Sequence, residues 1–188
     1  MKRVDLAVAC FKQGFSCSQA ILSTYGPLYG LNCETALRVS RGFGGGMGAL
    51  GLTCGALTGA FMVLGLMYDS AEPAAKEKVV NFIAQISDRF VERHGAMACR
   101  ELIGCDLKSE AGRRRFQELN LIETHCVKFV RDAAEFLEGI VASGLDPLPA
   151  REQEIRIEPL FDSSPDLSTQ SPRPVCAAPV NHEPLFNK

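Results

Sequence analysis

Apolar residues recur at the spacing of an α-helix along most of the first 144 residues. Apolar positions repeat every three to four residues in these stretches, and no segment before residue 145 alternates with a period of two. The pattern therefore predicts an all-α fold, a single helical bundle of about five to six helices. The helical stretches are residues 3–12, 16–25, about 32–41, 51–68, 73–94, 96–103 and 120–144.

Several of these helices have recognisable start signals. Ser16 with Gln19, and Asn120 with Glu123, each have the spacing of a capping box, in which two side chains satisfy free amides of the first helical turn. Pro73 and Gly95 are in the positions expected at the two ends of the longest helix. The first capping box predicts that residue 17 is the first residue of its helix. Thr53 is expected as the cap or an early-turn residue of the helix over residues 51–68.

The composition of the chain changes near residue 145. Eight of the ten prolines lie beyond it, in a segment rich in Ser, Asp and Glu. This composition is typical of an extended segment rather than of a second domain. We therefore predict a helical domain over residues 1–144 and an extended, Pro-rich tail over residues 145–188.

Charge and cysteine content limit the function. A formal net charge of −2 provides no broad basic surface, which argues against nucleic acid as a partner. The N-terminal sequence does not have the long apolar core of a secretory signal, so we expect a cytoplasmic, reducing environment. Eight cysteines in such an environment bind metals, take part in redox chemistry or fill the core, rather than forming a disulfide framework.

Residues 42–68 carry no charge over 27 positions and include a regular series of glycines. That length is enough for a membrane span, but the first part, GFGGGMG, is too rich in glycine to hold a helix. It also has no Lys followed by Ser or Thr, as a phosphate-binding loop requires. We therefore expect a buried central helix and no membrane span. Its glycine face should pack closely on another helix or on a second subunit, the latter making a homo-oligomer. That face consists of Gly51, Gly55 and Gly59.

Four cysteine-containing segments carry a family resemblance. They are CSQA at 17–20, CGALTG at 54–59, CRELIGCD at 99–106 and CVKFV at 126–130. In order and context they resemble the C_GCAxxG_C_C family of small redox-active proteins. The resemblance implies redox or metal chemistry at four cysteines, and a transporter or a redox protein as partner. The four cysteines carried over by position are Cys17, Cys54, Cys99 and Cys126, whereas the additional ones are Cys10, Cys33, Cys105 and Cys176.

The four cysteines leave three functions open. A helix start favours the thiolate form of cysteine, and four thiolates in a bundle match the ligand count of an iron–sulfur cluster or a zinc site. We expect such a cluster to serve electron transfer, with Gly55 and Gly59 allowing close backbone approach to it. The alternatives are a thiol/disulfide oxidoreductase without a cofactor, and a non-catalytic protein that binds a soft metal or metalloid for a transporter. His94 and His125 are expected at a helix end and on a helix face, not as ligands.

Overall fold

The computed structural model describes residues 2–68 and 72–142 of the chain. This part contains α-helices and short helical turns, with no β-strand among the described residues. One isolated antiparallel bridge joins Thr53 to Ala98. The helices are α1 (Arg3–Lys12), α2 (Cys17–Tyr25), α3 (Cys33–Ser40), α4 (Gly44–Met47), α5 (Gly55–Met67), α6 (Pro73–His94), α7 (Cys99–Ile103), α8 (Glu110–Glu118) and α9 (Val127–Ala142). Two 3₁₀ turns (Gly26–Tyr29 and Arg41–Phe43) and one π-helical turn (Ile122–Cys126) connect them.

The all-α prediction is confirmed, and several helix ends lie where their local signals put them. Ser16 and Gln19 form a complete capping box at the start of α2. The Asn32 side chain accepts a hydrogen bond from the Thr35 amide at the start of α3. Helix α6 begins at Pro73 and ends before Gly95, which has a φ of 82°. Local side-chain chemistry therefore determines these boundaries.

Helices α2 and α5 form the centre of the fold. Helix α5 packs against α2, and α2 is also covered by α1 and α3. Where they meet, Ser18 and Ile21 of α2 lie against Gly55 and Gly59 of α5, and Ser18 and Ile21 have no exposed surface. Helix α9 covers α1 and the far side of α5. In residues 2–68 and 72–142, no helix has the length and apolar character needed to cross a membrane.

Two boundary predictions were wrong, and two short helices were not predicted. The helix expected over residues 51–68 begins only at Gly55, and its N-cap is Cys54 rather than Thr53. Asn120 has a φ of 47° and does not cap the last helix, because the chain between α8 and α9 passes through the π-helical turn. The unpredicted helices are α4 and α8, and the predicted helix over residues 96–103 is α7, which begins at Cys99. The predicted tail, 145–188, lies outside the described residues.

Candidate functional site

Cys17 is the first residue of α2. The Ser16 hydroxyl accepts a hydrogen bond from the Gln19 amide at 3.3 Å, and the Gln19 side chain accepts one from the Ser16 amide at 3.0 Å. The capping box thus fixes the helix start and the direction of the Cys17 side chain. Cys17 is half-buried, in contrast to Cys54, which is 2% exposed.

Cys54 immediately precedes the first turn of α5 and is brought to α2 by two glycines. A Cβ atom at Gly55 would lie 3.2 Å from Cys17 Cβ, and one at Gly59 would lie 2.9 Å from Ile21 Cβ. The two helices can approach this closely only because both positions lack a side chain. The glycines therefore set the separation of α5 from α2, and with it the position of Cys54 next to Cys17.

The glycine face is covered by the chain itself. Gly55 and Gly59 lie against α2, and a Cβ at Gly51 would be 2.9 Å from Arg100 Cβ. Of the two occupants predicted for this face, another helix is confirmed. These contacts lie within one chain, and the expectation of a homo-oligomer through Gly51, Gly55 and Gly59 stays a prediction.

Cys99 is the first residue of α7 and is held beside Cys54 by the antiparallel bridge. The Cys54 amide donates to the Met97 carbonyl at 2.9 Å, and the Cys99 amide donates to the Leu52 carbonyl at 2.6 Å. Gly46 makes this arrangement possible, since its φ is +71° and a Cβ there would lie 2.7 Å from Cys99 Cβ. The glycine-rich loop before α5 therefore serves to pack the backbone against Cys99.

Arg100 attaches this loop to α7. Its guanidinium donates to the carbonyls of Leu50 at 2.6 Å and Gly51 at 3.4 Å, and its backbone amide donates to Gly51 at 3.2 Å. Residues Met47 and Ala49 in the loop have positive φ values of 59° and 64°. Such conformations cost free energy in residues with a side chain, so the loop needs the hydrogen bonds from Arg100.

Cys126 is the last residue of the π-helical turn, and its side chain is buried. The turn leads directly into α9. A π-helical turn shifts the side chains that follow it, and such turns are frequent at functional sites. Here the turn brings Cys126 within hydrogen-bonding reach of Cys17.

The four thiols interact with one another, and we call Cys17, Cys54, Cys99 and Cys126 the cysteine cluster. The hydrogen bond to Cys126 raises the pKa of Cys17 well above its usual range. The hydrogen bond to Cys17 does the same to the pKa of Cys54, against the effect of the Ala56 and Leu57 amides, which lower it.

Cys99 is buried, and it lies close enough to Cys54 for the charge of Cys54 to affect its pKa. Burial, followed by the charges of Cys54 and Cys105, raises the pKa of Cys99 to about 12. The pKa values of Cys17, Cys54 and Cys99 are thus all raised, which favours the protonated thiols over the thiolates. A cation bound to the sulfurs would stabilise the thiolates, and the formation of a sulfur–sulfur bond would remove the protons.

The comparison with protein families gives a match to residues 15–140, which include all four thiols of the cluster. The matching family is described as "Putative redox-active protein (C_GCAxxG_C_C)". The chain belongs to the C_GCAxxG_C_C family. No curated protein and no solved structure matches it significantly.

The other cysteines of this C_GCAxxG_C_C protein lie in different surroundings. Cys10 is buried, and its sulfur lies 3.6 Å from the Ser23 hydroxyl oxygen. Cys105 is half-buried beyond the end of α7, near Cys99. Cys33 is the first residue of α3, and Cys176 lies outside the described residues. The structure thus brings together the four cysteines that the resemblance indicated.

The four cysteine sulfurs of the cluster are atoms of a type that binds metal ions. Thiolates are the usual ligands of iron–sulfur clusters and of structural zinc. In residues 2–68 and 72–142, however, no three or more His, Cys, Asp or Glu side chains are arranged as a metal-binding group. The thiols as they lie do not form a ready-made metal site, and ligation by the four cysteines stays a prediction.

His94 and His125 differ in the exposure of their side chains. His125 is exposed on its helix, as predicted. His94 is the last residue of α6, as predicted, but its side chain is buried beside Asp132, which sequence reasoning missed. The signal was Asp132 itself, because an acidic residue within the apolar face of α9 requires a partner.

Proposed function

We propose that this redox-active family member works by thiol–disulfide chemistry at the cysteine cluster. What supports it is that Gly55 lets α5 approach Cys17 closely, and that the Cys17 thiol lies near enough to the Cys54 and Cys126 thiols for both to affect its pKa. Thiols in contact need only a small displacement to form a disulfide. The difference in accessibility assigns the order, because half-buried Cys17 is within reach of a partner and buried Cys54 is not.

The exchange has two steps, and its oxidant is a disulfide in a partner protein. The Cys17 sulfur attacks one sulfur of that disulfide and loses its proton, a bond forms between the two proteins, and the second partner sulfur leaves and takes up that proton. The Cys54 sulfur then attacks Cys17 and loses its proton, which the first partner sulfur takes up as it is released, and a Cys17–Cys54 disulfide remains. Two electrons, and the two protons of Cys17 and Cys54, pass to the partner, which becomes a dithiol. The reverse sequence oxidises a partner dithiol.

A second candidate is a thiolate-bound iron–sulfur cluster, or zinc or another soft metal, held by the four cysteines. What favours it is that three of the thiols lie at helix starts, Cys17 and Cys99 as first helical residues and Cys54 as N-cap. Helix N-termini stabilise thiolates, the form that binds metal. Bound iron–sulfur would supply one-electron transfer, whereas a soft metal held for a transporter would not turn over. In either case Gly55 and Gly59 would allow the backbone of α5 to lie close to the bound cluster or metal.

The deciding experiment is purification without oxygen, followed by metal analysis, a visible spectrum and disulfide mapping by mass spectrometry. We expect one disulfide, between Cys17 and Cys54, after treatment with an oxidised dithiol protein or oxidised glutathione, and its loss on reduction. Cys17→Ser should abolish it. Cys10→Ser is the matched control, since Cys10 is also buried but bonds to Ser23 outside the cluster.

Two outcomes contradict the thiol–disulfide proposal. Iron with sulfide, or zinc, in a fixed ratio to the chain and lost in each of the four single Cys→Ser variants would establish the second candidate. Protein that contains no metal and forms no disulfide among Cys17, Cys54, Cys99 and Cys126 would contradict both.

A further inference from the structure

A buried acid–base pair lies between the end of α6 and the middle of α9. His94 Nε2 is 2.9 Å from Asp132 Oδ2, and the two side chains are only 4% and 7% exposed. Neither atom has a hydrogen-bond partner of good geometry among the described residues. Two polar atoms this close in a dry environment repel each other unless a proton lies between them.

The surroundings of the pair set the charge on His94. Its ring packs on Phe90 at 4.4 Å and on the edge of Phe129 at 4.9 Å, measured between ring centroids. Arg93 Nη1 donates to Asp132 Oδ1 at 3.0 Å, so the carboxylate is already paired with one cation. Burial lowers the pKa of His94, and this effect outweighs the opposing attraction of Asp132. His94 is thus neutral at neutral pH.

Two other charges act on the pair. Lys128, one turn before Asp132 on α9, acts with Arg93 in opposing a positive charge on His94. Glu135 Oε2 lies 3.6 Å from Arg93 Nη1 and competes with Asp132 for that guanidinium. A proton added to His94 would therefore redistribute the ion pairs between Arg93 and the two carboxylates.

The pair joins the two backbone segments that carry the cysteine cluster. After His94 the chain turns at Gly95 and runs through residues 96–98, which pair with residues 52–54 and end at Cys99. Asp132 lies on α9, which continues from the π-helical turn that ends at Cys126. The contact between His94 and Asp132 therefore fixes the Cys54 and Cys99 segments relative to the Cys126 segment.

We propose that His94 and Asp132 are positioning residues for the cysteine cluster, and that protonation of His94 alters the contact between Cys126 and Cys17. The proposal rests on the proposed thiol function. Neutral His94 packs between the two phenylalanine rings beside Asp132. The imidazolium draws Asp132 away from Arg93 and moves α9 relative to residues 95–99. Redox equilibrium and His94 protonation are then linked, so each must shift the other.

The test is the equilibrium between thiols and cluster disulfide in a glutathione buffer, measured between about pH 5 and 8. In the wild-type protein, the pH dependence of this equilibrium constant should show a break, a change of slope, below about pH 6.5, where only histidine titrates. His94→Gln keeps a polar side chain but does not titrate. It should remove the break and change the equilibrium constant at pH 7 by about tenfold, which corresponds to about 1.4 kcal/mol. His125→Gln, at an exposed histidine, is the control and should leave the break in place.

A second measurement uses the wild-type protein, so it does not depend on whether His94→Gln folds. The imidazole of His94 is titrated by NMR in the reduced and the oxidised protein, and its midpoint should differ between the two states. Equal midpoints, or identical pH profiles for wild type and His94→Gln, overturn the positioning role. If the wild type forms no cluster disulfide, the proposed function fails separately. In that case the alkylation rate of Cys126, measured as a function of pH, tests the positioning role alone. The rate should show a break in its pH dependence in the wild type and none in His94→Gln.

Discussion

The backbone of Gly59 lies against Ile21 so closely that a Cβ at residue 59 would be 2.9 Å from the Cβ of Ile21. The same atom would be 3.0 Å from the Ser18 carbonyl oxygen, which is backbone and cannot rotate away. The contact is made between α5 and α2, the helices that start at Cys54 and Cys17. The separation of the two helices therefore determines whether the two thiols touch.

Gly59→Ala should destabilise the protein although alanine favours a helix. We expect the free energy of unfolding to fall by about 1–3 kcal/mol, the usual cost of overpacking a core. Gly65→Ala on the same helix is the control. A Cβ there meets nothing within 4 Å, so that variant should gain about 0.5–1 kcal/mol. Denaturant unfolding of both variants checks this, and equal gains would show that α5 and α2 can separate without cost.

The sequence-based predictions succeeded where the interacting residues are close together in the sequence and failed where they are far apart. Helix ends set by neighbouring residues, as at Ser16 and Pro73, could be predicted because the partners are within one turn. Asn120 had the same local pattern, but its positive φ is imposed by the connection between α8 and α9. The four cysteines were indicated by the family resemblance, whereas the bridge that aligns Cys54 with Cys99 joins residues 45 positions apart and left no local signal.

Gly46→Ala should disturb the cysteine cluster more than a comparable change nearby. A Cβ at Gly46 would meet Cys99 Cβ at 2.7 Å and the Leu52 carbonyl oxygen at 2.5 Å. Gly48 is the control, because it also has a positive φ, +63°, but its nearest neighbour would be 3.8 Å away. Gly48→Ala should cost only the backbone strain, about 1 kcal/mol. Gly46→Ala should in addition raise the alkylation rate of Cys99. Similar alkylation rates in the two variants would contradict a packing role for Gly46.

Arg100→Met should loosen the glycine-rich loop. The change removes the two side-chain hydrogen bonds to Leu50 and Gly51 while keeping most of the apolar part of the side chain. Amide hydrogen exchange of residues 44–52 should become faster, by about tenfold for a loss of roughly 1.4 kcal/mol in local stability. Arg114→Met is the control, since Arg114 makes only an exposed ion pair with Glu110 on α8. Unchanged exchange in Arg100→Met would show that backbone pairing alone holds the loop.

Cys99 should make the protein less stable as the pH rises above 9. Burial raises the pKa of the folded thiol from an ordinary 9.0 to about 12, so above pH 9 the unfolded chain releases a proton that the folded protein retains. The contribution of Cys99 to stability is therefore complete below pH 9 and declines by about 1.4 kcal/mol for each further pH unit until the folded pKa is reached. The measurement is denaturant unfolding with a reducing agent at several pH values, in wild type and in Cys99→Ala.

The stability difference between wild type and Cys99→Ala isolates the Cys99 contribution from those of other groups that titrate in the same range. It should shrink as the pH increases from 9 to 11. Cys105→Ala is the control. Its thiol is only half-buried, and the charge of Arg115 opposes the rise in its pKa, so its dependence on pH should be weaker. A constant difference between wild type and Cys99→Ala would mean that Cys99 ionises in the folded protein at its ordinary pKa. In that case burial and the charges of the neighbouring thiols would not keep it protonated.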